Sequence, residues 1–138
     1  MPNQFFSPEG DLEKHFITET WLIDQYLNTE LWTWGENGVG ELGDNTTVDR
    51  STPVTTFAGG NDWKQVSCGR QVTAAIKTDG TLWVWGFNGS RGLLGVNDTL
   101  SRSTPVTTFA GGNNWKYATL QNSAFAIQTG TDPRFFLP

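Results

Sequence analysis

The side chains able to do chemistry are few and scattered. A catalytic nucleophile needs a base within hydrogen-bond reach, and His15, the single histidine, has no Ser or Cys near it in sequence. Cys68, the single cysteine, has Leu120 at the matching place in a later, near-identical stretch, so packing explains it better than reactivity. Glu41, Asp44 and Asp49 gather in one loop, where carboxylates could share a site. Their later counterparts are Leu93, Val96 and Ser101, so solvated loop charge is the expectation. No Asp-rich calcium loop and no Cys/His zinc spacing occurs. The stretches GENGVGELG and GFNGSRGLLG lack the Gly-Lys-Ser/Thr ending of a phosphate loop, and no helix pattern follows. Trp63 and Trp115 stand beside Gly-Gly-Asn turns and carry rings of the kind that stack on sugars, but their recurrence argues for packing. The expectation is no catalytic residue, no metal ligand and no cofactor, with a glycan contact at Trp63 and Trp115 as the minor alternative.

Charge narrows the partners. Residues 1–30 hold six acids against the one base Lys14, and the other 108 residues balance eight acids with eight bases. A polyanion would be repelled by the first segment and gain little from the rest, which argues against nucleic acid. One cysteine cannot make an internal disulfide. No run approaches the roughly 18 apolar residues of a membrane helix, and Met1-Pro2-Asn3-Gln4 does not open a signal peptide. The chain is expected to fold reduced, in cytoplasm, with the sequons at Asn45, Asn88 and Asn97 as by-products of Asn- and Thr-rich loops.

What must position any site is an internal repeat. LWTWGENG begins at Leu31 and LWVWGFNG at Leu82, 51 positions later. STPVTTFAGGNDWK begins at Ser51 and STPVTTFAGGNNWK at Ser103, 52 later, so one residue is inserted near Arg91. The offset returns to 51 at Ala74 and Phe125. Each copy, 31–81 and 82–132, reads as four short strands. These are Leu31–Trp34, Val54–Phe57 opened by a proline, Trp63–Cys68 and Thr73–Lys77, with Leu82–Trp85, Val106–Phe109, Trp115–Leu120 and Ala124–Gln128 as their counterparts. The two-residue period puts Trp32 and Trp34 on one face and Leu31 and Thr33 on the other. Asp79-Gly80 predicts a type I′ hairpin, with positive φ at both positions, joining the copies through backbone pairing. The fold class expected is all-β: two tandem four-stranded propeller-type blades, an incomplete propeller, with an N-terminal partly helical arm.

The run LWxWGxNxxGxLG, the Pro-opened strand, and VSCGRQVTAAIKTDGTLWVWG together resemble the regulator of chromosome condensation repeat over residues 31–132. That resemblance implies a β-propeller blade per repeat and roles in protein binding, including nucleotide exchange on a small GTPase and inhibition of a β-lactamase. Val72 and Ser123 stand where the family often has histidine in its CGxxHT turn, and no exchange-factor wedge is visible. A third LWxWG does not arrive. Two repeats cannot close a propeller, and a stable stack needs about three, so the exposed faces and strand edges are expected to be covered by other copies, by residues 1–30, or by 133–138. Trp32, Trp34, Trp83 and Trp85, with Phe135, Phe136 and Leu137, are the residues expected to self-associate.

Residues 1–30 read differently. Ser7-Pro8-Glu9 is a helix start, and Leu12, Phe16, Ile23, Tyr26 and Leu27 fall near helical spacing. Phe5, Phe6, Phe16, Trp21 and Tyr26 either cap the first blade or dock the acidic arm on a larger assembly. More loosely, arm plus short repeat is similar to small virion proteins of tailed phages. The expected function is therefore a non-enzymatic structural or assembly part (tail, baseplate, fibre or capsid decoration), with a soluble protein-binding regulator or a receptor-binding lectin as alternatives.

Overall fold

The computed structural model describes residues 28–130, so the expected helical arm and the 133–138 tail lie outside the described residues. Within them the chain is all-β, with eight strands and a single 3-10 turn, Gly89–Arg91, at the insertion near Arg91. The strands are β1 (Trp32–Gly35), β2 (Arg50–Thr55), β3 (Trp63–Cys68), β4 (Val72–Lys77), β5 (Leu82–Gly86), β6 (Arg102–Thr107), β7 (Trp115–Leu120) and β8 (Ala124–Gln128).

The sheets do not follow the repeats. Two four-stranded blades, one per copy, were expected. Instead β1 pairs β2, β3-β4-β5-β6 form one four-stranded sheet across the junction of the copies, and β7 pairs β8. All pairings are antiparallel. The reason lies in the connections. Lys77 and Leu82 are joined by a tight turn that folds β5 straight back on β4. Between β2 and β3 the chain instead swings away through Gly59 and Gly60, at φ 61° and 86°, and starts a new sheet.

That tight turn also departs from type I′. Gly80 has φ 84° but Asp79 is not at positive φ, and the Gly80 N–H donates to the Lys77 carbonyl at 2.9 Å. Asp79 works through its side chain, whose Oδ1 accepts from the Thr81 N–H at 3.0 Å and the Thr81 hydroxyl at 2.7 Å. These bonds hold its carboxyl below the ordinary range, with the Thr81 hydroxyl as the largest cause.

Pro53 and Pro105 lie inside β2 and β6 rather than opening them. Among the described residues each of these strands is paired on one side only, an edge position where a missing N–H costs nothing.

β4 is buried on both faces. Val72, Ala74 and Ile76 meet Ala118 and Leu120 of β7, and Ala75 meets Trp63 and Trp85 on the other face. The small side chains of Ala74 and Ala75 allow this close layering. Gln65 ties the sheets together, donating to the Ala118 carbonyl at 3.0 Å and accepting from its N–H at 3.3 Å.

Candidate functional site

Each long loop is built around one buried asparagine. Asn37 is fully buried; its Oδ1 accepts from the Leu42 N–H at 2.9 Å, and its Nδ2 donates to Asp44 and to the Thr46 and Val48 carbonyls, all at 3.1 Å. Asn88 does the same in the second copy, accepting from the Leu94 N–H at 2.9 Å and donating to the Asp98 carbonyl at 2.7 Å. An amide carries both a donor and an acceptor, so one side chain can pin both walls of a loop. Sequence reasoning gave these residues no role, although their recurrence 51 positions apart was the available signal.

In the acidic cluster of the first loop, Asp49 is exposed as expected of solvated charge, Glu41 is half-buried, and the Asp44 side chain is withdrawn from solvent. Asp44 pairs with Arg50 at 2.8 Å, Asp49 accepts from the Asn37 N–H at 2.8 Å, and Glu41 accepts from the Val39 N–H at 2.8 Å. Burial pushes the Asp44 carboxyl up, but bonds from Thr46, Arg50 and Asn37 outweigh it and hold it below its ordinary value. In copy two the carboxylate has moved: Arg102 pairs with Asp98, at the position of Thr46, at 2.6 Å. These carboxylates fasten loops, each to its own partner. Among the described residues no group of three His, Cys, Asp or Glu is placed to hold a metal.

The four tryptophans expected to self-associate divide into two pairs. Trp85 is fully buried, its indole N–H donating to the Glu41 carbonyl at 2.8 Å, so it belongs to the intramolecular core. Trp83 is half-buried, its N–H bonded to the Thr81 hydroxyl at 2.8 Å, with the Lys77 ammonium 5.1 Å from its ring. Trp32 and Trp34 are 49% and 61% exposed. Trp63 is buried, its N–H on the Gly59 carbonyl at 2.9 Å and its ring enclosed by Lys77, Trp83 and Trp85, so it offers no face to a sugar. Trp115 is half-buried, with its N–H on the Gly111 carbonyl at 2.8 Å. Phe5, Phe6, Phe16, Trp21, Tyr26, Phe135, Phe136 and Leu137 lie outside the described residues.

Exposed apolar side chains are spread over loops and strands, and four of them lie on two edge strands. Trp32 and Trp34 lie on β1, and Phe125 and Ile127, 67% and 61% exposed, lie on β8. Each of these strands is paired on one side only among the described residues. Val66 and Cys68 are exposed as well, against the expectation that Cys68 packs. With Leu31, Trp32 and Trp34 they line a groove of about 310 Å³ between β1 and β3. Open strand edges beside an apolar groove are suited to receiving another polypeptide by backbone pairing.

Tandem antiparallel units, stacked sheet on sheet and tied by a tight hairpin across the repeat junction, define a propeller-type repeat segment. Two family models described as "Regulator of chromosome condensation (RCC1) repeat" match residues 29–76 and 63–92. Residues 29–92 thus carry the RCC1 repeat. It is 29% identical over 114 residues to the ultraviolet-B receptor UVR8 of Arabidopsis thaliana, covering 70% of this chain and 26% of the receptor. It is 37% identical over 79 residues to the probable E3 ubiquitin-protein ligase HERC4 of Mus musculus, covering 56% of this chain and 7% of the ligase. Over 66 residues it is 39% identical to the X-linked retinitis pigmentosa GTPase regulator of Mus musculus, covering 46% of this chain and 6% of the regulator. The crystal structure of human WBSCR16 shares the fold, with a TM-score of 0.55 and 23% identity over 69% of this chain and 25% of that one. The chain thus spans about a quarter or less of these relatives.

Proposed function

We propose that this chain is a non-enzymatic protein-binding segment that captures another polypeptide along its open strand edges and the groove beside Val66 and Cys68. The observation that carries this reading is the exposure of Trp32, Trp34, Phe125 and Ile127 on two strand edges that lack a strand neighbour among the described residues. Leaving such side chains in water forgoes about 1.5–3 kcal/mol each, which a docked protein would recover. The relatives support a regulatory role: they are named as a receptor, a ubiquitin-protein ligase and a GTPase regulator. Those names favour a protein-binding regulator over a phage tail or capsid part.

A photo-crosslinking residue at Val66, in the full chain expressed in its own cell, tests the reading. The expected product is a covalent adduct with protein, suppressed by Trp34→Ala. Adducts only with nucleic acid or glycan, or none, would overturn it.

A further inference from the structure

The chain makes one joint internally and carries the unmade halves of the same joint on opposite faces. β7–β8 repeats the register of β3–β4, and β5–β6 repeats that of β1–β2. The pairing without a counterpart among the described residues is β4 with β5, running from Val72↔Gly86 to Ile76↔Leu82. Carried over by the 51-residue offset, it sets β8 against β1. Ala124 then faces Trp34, Phe125 faces Thr33, Ala126 faces Trp32 and Ile127 faces Leu31. One molecule cannot make this pairing, because Leu31 packs on one face of the four-stranded sheet and β7 on the other.

A vacant socket fits this joint. Around buried Trp85 stand Glu41, Gly43, Trp63 and Ala75; a Cβ on Gly43 would lie 2.8 Å from the indole nitrogen. Their counterparts Leu93, Gly95, Trp115 and Ala126 line a cavity of about 120 Å³, and a Cβ on Gly95 would meet nothing within 4 Å. What this cavity lacks is the counterpart of Trp85, and that residue is Trp34, 61% exposed on the other side of the same molecule. Gly35 tells the same story. Its counterpart Gly86 presses on the Gln71 backbone, whereas Gly35 has nothing within 4 Å.

The groove beside β1 supplies the rest. In the internal joint Ala74 packs on Ala118 and Leu120. Their counterparts are Phe125, Val66 and Cys68; Phe125 is larger than Ala74, and Val66 and Cys68 line an open groove of about 310 Å³ that gives it room.

We infer that a second copy of this chain docks head to tail, its β1 pairing with β8 of the first in the register above. Trp34 of one copy fills the socket of the other, and Phe125 enters the groove. The inference rests on the protein-binding reading and names its partner. Such an interface is heterologous: each copy uses one surface as donor and a different one as acceptor, joined by strand addition.

The test uses the full chain and light scattering. Wild type is expected to exceed the 15.3 kDa chain mass, increasingly so with concentration. Trp34→Ala keeps the socket and loses the plug, while Ala126→Glu, at an exposed position, keeps the plug and blocks the socket. Each alone should be a monomer with unchanged circular dichroism. Mixed, they should give a dimer of twice the chain mass and nothing larger, because the only joint left is one intact plug in one intact socket. In a Cys68→Ser background, Phe125→Cys with Thr33→Cys should oxidise to a ladder of cross-linked chains far faster than Ile127→Cys with Thr33→Cys. The inference falls if wild type stays monomeric, including the case in which residues 1–27 cover Trp34. It also falls if Trp34→Ala keeps the wild-type mass, if the mixture stays monomeric, or if both cysteine pairs oxidise alike. A monomeric wild type that still yields Val66 adducts with a different protein would sink self-pairing and leave the protein-binding reading standing.

Discussion

Trp85 reaches back 44 positions to donate its indole N–H to the carbonyl of Glu41, and this bond locks a strand of the second repeat to a loop of the first. Thr73 donates its hydroxyl to the same carbonyl at 2.9 Å, so β4, β5 and the first long loop meet at one oxygen. The Glu41 side chain is not involved, which is why its own carboxylate chemistry gave no hint of the role.

Trp85→Ala should therefore destabilise by about 3–5 kcal/mol, the cost of a large cavity in a core. Trp34→Ala, at the same place in the repeat but exposed, should change monomer stability by about 0.5 kcal/mol or less. Urea unfolding at dilutions where the chain is monomeric checks both, and equal losses would contradict the division of the tryptophans.

Removing the loop amides should cost more than their exposed surroundings suggest. Asn37→Ala strands the buried Leu42 N–H, for a loss of about 1–3 kcal/mol. Asn37→Asp should be worse, because it sets a second carboxylate where the amide now donates to Asp44. Thermal unfolding of the two variants gives the order.

Asp44 makes stability depend on acid. Its carboxyl is held below the ordinary value of 3.8 in the folded chain. Its contribution is thus fully present above about pH 3.8 and is lost as pH falls through the depressed folded value. The stability gap between wild type and Asp44→Asn should be widest near neutral pH and close below pH 3.8, as read by urea unfolding across that range.

Glycines in two turns should respond unequally. Gly80 sits at φ 84° with the Asn113 carbonyl where a Cβ would go, so Gly80→Ala strains the turn and pushes the 111–114 loop away. Gly38 has no neighbour within 4 Å and no positive φ, so Gly38→Ala should be neutral or stabilise by about 0.4–1 kcal/mol. Melting temperatures of the two variants suffice.

The sequence carried much of the local structure. Strands β3, β7 and β8 lie at the residues their patterns indicate, and the insertion near Arg91 falls on a short 3-10 turn. These features follow from side-chain period and from Gly and Pro, which act over a few residues. The buried asparagines were harder to see, because a polar residue in a glycine-rich loop has the composition of an exposed one. Only the closure of each loop around Asn37 or Asn88 removes it from water.

What the amino-acid order determined alone was a repeat, its strands and the faces of each strand. What the tertiary structure decided was which strands share a sheet, and so the fate of equal residues. Leu31-Trp32-Thr33-Trp34-Gly35 and Leu82-Trp83-Val84-Trp85-Gly86 are nearly the same text, yet among the described residues β5 has neighbours on both edges and β1 on one. Local propensity cannot distinguish them. Burial comes from segments distant in sequence, which enclose Trp85 and, among the described residues, leave Trp34 exposed.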